Sequence, residues 1–334
     1  MSSTPRLSRR ALLAAVPSLC VALATRNANA QGKPPSGSRV VRATSDARGV
    51  TAVLELDHAP FPAAGAGYRD ATVIAFIPNH FRLGRDGTVS VVVHYHGHNT
   101  TAERALAAHQ LREQLYDSKQ NAILLVPQLA VMAPDSSCGK LEAPGGFARM
   151  IEDAVRTLDA RDVRALAGRA AIPPDVSVGR VCVSAHSGGY HAAAKSLEVG
   201  GVPVQEVYLF DALYADVDAF KSWVIAGRGK PMGSRHKLVS YFTAGTTEAN
   251  TSFLFAELAK QGVACAHEQI EGTLSREELT RAEAVSIRTQ LTHGAVTSEL
   301  NSLRDCLYAS ALRRNLRSSW FDAKKGARPL ERRR

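Results

Sequence analysis

The stretch Val181-Cys182-Val183-Ser184-Ala185-His186-Ser187-Gly188-Gly189-Tyr190 reads as a short, largely β-branched strand that runs into a serine set among small residues. Behind it follows His191-Ala192-Ala193-Ala194-Lys195-Ser196-Leu197, rich in helix-forming alanine, so a strand turns into a helix at Ser187. Such a turn holds the hydroxyl exposed on a strained backbone, and bulky residues two positions to either side collide there. Ala185 and Gly189 are the small residues it requires. Ser187 is therefore the candidate nucleophile, and the rest of the chain must supply a base, an acid and donors for an oxyanion.

Ala185-His186-Ser187-Gly188-Gly189 resembles the nucleophile elbow of the α/β-hydrolases, written G-x-S-x-G, with alanine in place of the first glycine. Upstream, Val89-Ser90-Val91-Val92-Val93-His94-Tyr95-His96-Gly97-His98-Asn99 is an apolar strand ending in His-Gly. In that superfamily a His-Gly at this place precedes the loop that lends a backbone N–H to the oxyanion hole, which puts His98 or Asn99 beside Gly188 as donors. Downstream, Val207-Tyr208-Leu209-Phe210-Asp211 ends a buried strand in an acid, and Leu291-Thr292-His293-Gly294 places a histidine in a loop. The order Ser187, Asp211, His293 is similar to the superfamily's Ser…Asp/Glu…His order. The resemblance covers most of residues 70–312 and implies an ester hydrolase, with amide cleavage as the lesser expectation, acting on a small molecule without a cofactor or a metal. In it Ser187 attacks an acyl carbon, His293 moves the proton, and Asp211 fixes the imidazole. His96, Gly97, His186 and Tyr190 would border the substrate.

The acid has a rival. Leu238-Val239-Ser240-Tyr241-Phe242-Thr243 is a further strand, and Glu248 follows it among polar turn residues. Asp211 lies between Phe210 and Leu213, where an unpartnered carboxylate is costly, and so is the preferred acid. Two other function classes stay open. His94, His96 and His98 alternate, and residues at i and i+2 of a strand point the same way, so a metal-dependent hydrolase is one alternative. A catalytically inactive, hydrolase-like binding protein is the other, since a fold does not establish an activity.

Strands alternating with helices predict an α/β domain over 46–315, a mostly parallel central sheet with helices on both faces. Helices are expected over 101–115, 146–158, 219–225, 251–260 and 297–312, and the leading strands near 51–56 and 72–77 suit antiparallel pairing. The loop 129–144 is long enough to border a substrate site.

The N-terminus reads as an address. Arg9-Arg10 is a twin-arginine pair, an apolar run follows, and Ala28-Asn29-Ala30 is a small-x-small cleavage site. Residues 1–30 are expected to be a bacterial export signal cleaved after Ala30, with a periplasmic or secreted product that keeps no membrane anchor. Residues 31–45 read as a flexible linker and 316–334 as a solvated basic tail. The net charge of +10 over 334 residues comes largely from the two ends, because residues 1–30 hold four arginines and no acid and residues 324–334 carry a net +5. The body is left near +1, so no nucleic-acid-binding face is expected. Beyond Cys20, the cysteines Cys138, Cys182, Cys265 and Cys306 allow one or two disulfides in an oxidising compartment, with Cys182 read as a buried thiol in its strand.

Overall fold

Nearly every residue of the central strands is apolar, which a strand can sustain only when both of its faces are covered. A computed structural model describes residues 37–316, 326, 328 and 330–333, and there the strands form one ten-stranded sheet. In chain order the first elements are β1 (Arg39–Asp46), β2 (Gly49–Glu55), β3 (Thr72–Pro78), β4 (Thr88–Tyr95), α1 (Ala102–Ala108), α2 (Leu111–Ser118), β5 (Ile123–Pro127), α3 (Gly146–Thr157) and α4 (Arg161–Ala167). There follow β6 (Ser177–His186), α5 (Tyr190–Glu198), β7 (Glu206–Phe210), α6 (Val217–Gly227), β8 (Lys237–Phe242) and α7 (Thr246–Lys260). The chain then adds β9 (Cys265–Glu268), α8 (Arg276–Arg281), β10 (Ala284–Arg288) and α9 (Ser302–Tyr308).

The strand order is β1-β2-β3-β5-β4-β6-β7-β8-β10-β9. Pairing is antiparallel from β1 through β3 to β5 and parallel from β5 onward, as expected for the leading strands. Alternate side chains of β4 and β6 enter opposite cores. Val91, Val93, Val181 and Val183 join α3, α5 and α7 on one face, while Val92 and Cys182 join α1, α2 and α9 on the other. This is the α/β-hydrolase fold. Among the described residues no helix is long and apolar enough to cross a membrane.

Several expectations need correction. Arg39–Asp46 pair with β2, so the stretch read as linker up to residue 45 ends in a strand. The helix expected over 101–115 breaks at Gln110, whose φ is 47°, and becomes α1 and α2. Of 297–312 only Ser302–Tyr308 is helical. The disulfides allowed among the cysteines are not formed: Cys138, Cys265 and Cys306 are free, while Cys182 is the buried thiol expected. The residues expected to form the export signal lie outside the described ones.

The basic end is the largest surprise. Arg328 is 3% exposed, pairs with the buried Glu268 and donates to Tyr241 Oη at 3.1 Å. Arg333 joins Asp117 and Asn301 Oδ1, and Arg332 joins Glu299. These residues are docked on the α9 side of the sheet and are not a solvated tail. Removing one partner of a buried pair strands the other charge, which is far costlier than loss of an exposed pair. Arg328→Ala is expected to lower the unfolding free energy by about 3–5 kcal/mol. Arg39→Ala, at the exposed Arg39–Glu55 pair, is expected to cost less than about 1 kcal/mol. Urea unfolding of both variants beside the parent measures the contrast.

Candidate active site

Parallel strands of such a sheet end on one edge, and ligands collect beyond their carboxyl ends. Ser187 follows β6, Asp211 follows β7, His98 lies three residues past β4, and His293 sits in the loop after β10. Four segments distant in sequence are thereby brought to one sheet edge.

Ser187 has φ 53° and opens the 3₁₀ turn Ser187–Gly189 that leads into α5. A left-handed backbone at a non-glycine residue costs about 1–3 kcal/mol, and such residues cluster at functional sites. Its surroundings explain the glycines. A Cβ on Gly97 would stand 2.7 Å from Ser187 Cβ, and one on Gly188 would stand 2.1 Å from the His98 ring. Small residues here are a matter of space as well as of backbone angle. Ser187 Oγ makes no hydrogen bond among the described residues.

Asp211 is 1% exposed and also left-handed, with φ 46°. Its Oδ2 accepts from His293 Nδ1 at 2.6 Å and from Thr243 Oγ1 at 2.8 Å. Its Oδ1 accepts from Thr243 N at 3.0 Å and from the Thr247 hydroxyl. Burial alone would raise the pKa of this carboxyl, but the bonds from His293, Thr247 and Thr243 outweigh it and hold the group well below the usual carboxylate range. The rival Glu248 points elsewhere, 3.5 Å from Arg288 and part-exposed. The segment in which Glu248 was weighed thus contributes threonines that serve Asp211.

Of the two candidate oxyanion donors, Asn99 has its N–H engaged by Ala133 O at 3.0 Å. No backbone acceptor holds the His98 N–H among the described residues, and the Gly188 N–H belongs to the first turn of a helix, where such groups have no intrahelical partner. The loop 129–144 does reach this place, since His98 Nε2 and Ser136 Oγ lie 2.7 Å apart.

The alternating histidines do not converge on a metal. His94 Nδ1 meets Ser184 Oγ at 2.7 Å, whereas His96 bonds Gly97 O through Nδ1 and accepts from Leu129 N at its Nε2. His98 turns to Ser136. His96 is 1% exposed and ties the ends of β4 and β5 together, so it supports the site floor and does not line the substrate space. Tyr190, half-buried, has its ring 6.3 Å from that of Tyr214, which lies 6.3 Å from the His293 ring. Tyr214, 39% exposed, stands against His293, and no sequence pattern marked it.

A row of histidines runs inward from His293. Ring centroids are 4.7 Å apart for His293 and His186, 4.5 Å for His186 and His109, and 5.6 Å for His109 and His94. His186 Nε2 donates to His293 O at 2.8 Å and so anchors the loop that carries His293. Burial, reinforced by His186 and the other histidines, pushes His109 down to about 3. Burial likewise pushes His186 down to about 4, partly offset by its bond to His293 O. Both are neutral at pH 7 and place no positive charge against His293.

No protein-family model and no curated protein matches the sequence. Among solved structures the chain is similar to an S-formylglutathione hydrolase from Agrobacterium tumefaciens, at 12% identity over 82% of this chain and 100% of that one, with a TM-score of 0.45. It is also similar to a feruloyl esterase module from Clostridium thermocellum complexed with sinapinate, at 8% identity over 86% and 93%, TM-score 0.43. MPT51 of Mycobacterium tuberculosis matches at 11% identity over 76% and 97%, TM-score 0.40. The fold and the site described above stand on this chain's own strand order and contacts.

The histidine row has a measurable consequence. Below the ordinary histidine pKa of 6.5 the unfolded chain binds protons that the folded His109 and His186 refuse until about 3 and about 4. Stability is therefore full above pH 6.5 and is lost as pH falls through that window, by up to about 1.4 kcal/mol per pH unit for each histidine. His109→Gln is expected to remove one such share of the slope, read from urea unfolding between pH 7 and pH 4.5.

Proposed function

We propose that the protein is an exported serine hydrolase that cleaves a carboxylic ester, less readily an amide, of a small molecule. The observation that carries this reading is the 2.6 Å bond from His293 Nδ1 to a buried, fully satisfied Asp211, at the same sheet edge as a serine on a left-handed strand-to-helix turn. With Nδ1–H held by Asp211, the imidazole presents Nε2 as its lone-pair nitrogen, which is the tautomer a general base needs. Ser187 Oγ attacks the acyl carbon while His293 Nε2 takes its proton. The carbonyl oxygen becomes an oxyanion received by the His98 and Gly188 N–H groups. The alcohol leaves with the proton from His293, and water then repeats the sequence on the acyl-serine, releasing the acid and restoring Ser187. No metal or cofactor enters these steps. Export rests on the signal read in residues 1–30.

Hydrolysis of p-nitrophenyl acetate and butyrate, with fluorophosphonate labelling, tests the proposal. Ser187→Ala is expected to lose labelling and at least about 10⁴-fold in kcat, with Asp211→Asn losing a comparable factor. Glu248→Gln is expected to leave the rate unchanged. A folded parent protein that neither labels nor turns over these esters would remove the activated-serine reading.

A further inference from the structure

Where the start of α5 meets the loop 129–144, three dissimilar side chains come together. One ligand atom each of Cys138, Glu142 and His191 lies within 4.8 Å of the others. Cys138 precedes and Glu142 ends the short 3₁₀ turn Gly139–Glu142, and His191 is the second residue of α5. The backbone holds the pair together, since Cys138 N donates to Glu142 Oε1 at 2.9 Å. His191 Nδ1 lies 2.7 Å from Asp216 Oδ2, at the start of α6. A carboxylate on one ring nitrogen is the usual companion of a metal-bound histidine, because it fixes the tautomer and raises the basicity of the other nitrogen.

We propose that Cys138, Glu142 and His191 form a binding site for a thiophilic divalent cation of the Zn²⁺ class, with Asp216 orienting His191. Sulfur, imidazole nitrogen and carboxylate oxygen are each ordinary Zn²⁺ ligands, and a soft thiolate disfavours Mg²⁺ and Ca²⁺. Three protein ligands leave a fourth position for water or an anion. Charge supports a dication: Glu142 and Asp216 bring two carboxylates to the Cys138 thiol, and the neighbouring Lys195 is already paired with Glu198 at 2.8 Å. Cys138 is a buried free cysteine beside Glu142, and the thiolate, not the thiol, is the metal ligand. Binding therefore exchanges one proton for the cation: the S–H bond breaks, the S–Zn bond forms, and H⁺ leaves to solvent.

The site does not depend on the esterase reading, so the test is run on the full chain and on Ser187→Ala alike. Chelator-treated protein is titrated with Zn²⁺ alone by calorimetry in two buffers of different ionisation enthalpy, and with Co²⁺ alone by absorption. The expected result is one Zn²⁺ per chain with proton release, tighter binding at higher pH, and a thiolate-to-cobalt charge-transfer band. His191→Gln, Glu142→Gln and Asp216→Asn are each expected to weaken Zn²⁺ by about 10–100-fold or more. Cys138→Ser should abolish the charge-transfer band. As Cys138 is fully buried, the half-buried His191 and exposed Glu142 carry the test if the serine variant does not fold. Absence of Zn²⁺ binding, a Co²⁺ complex without the thiolate band, or an affinity unchanged in His191→Gln and Glu142→Gln would overturn the proposal.

Discussion

A carboxylate with 1% exposure is the constraint on which the rest of the site depends. Asp211 is tolerable at the end of β7 only because Thr243, Thr247 and His293 saturate its oxygens. Those donors come from the end of β8, the start of α7 and the loop after β10, so one charge draws three chain segments to a point. The left-handed φ of Asp211 aims the carboxylate at them. Loss of any one donor would leave a buried lone pair unmatched, and the position of His293 is therefore tied to the packing of the sheet edge itself.

What the sequence displayed and what it concealed divide along a physical line. The turn at Ser187, the His96-Gly97 pair and the acid after Phe210 were legible because each is local: an apolar run, small residues at fixed offsets, and a charge where a charge is expensive. The helix around Met150, Ile151 and Ala154 was legible for the same reason, since its buried residues follow helical spacing. Thr243 and Thr247 were not, because a threonine in a polar turn looks alike whether it faces water or a carboxylate. His109 lies 77 residues before His186, and nothing in either neighbourhood announces that their rings meet. The basic terminus misled in the same way. Arg328 reads as solvated until Glu268 and Tyr241 are seen to bury it.

The histidine row suits the proposed role of His293. If His293 acts as the general base, its imidazolium would be stabilised by Asp211, and a second cation next to it would cancel the gain. His186 stands 4.7 Å away by ring centroid and yet must donate a hydrogen bond to the His293 carbonyl. A neutral imidazole satisfies both conditions, and deep burial is what keeps it neutral. A lysine or arginine could make the same bond but would carry the charge.

The loop 129–144 touches both the His98 segment and the Cys138–Glu142–His191 cluster. Its Ala133 carbonyl engages Asn99 and its Ser136 hydroxyl meets His98, which sets the backbone at the place where an oxyanion would be received. Two residues further on, the same loop delivers Cys138 against α5, the helix that begins one turn after Ser187. A cation held by Cys138, Glu142 and His191 would clamp this loop to that helix, and the clamp would act on both sides of Ser187 at once. The strain at Ser187 makes such a clamp consequential: a left-handed turn persists only while the flanking strand, helix and loop hold it from several directions.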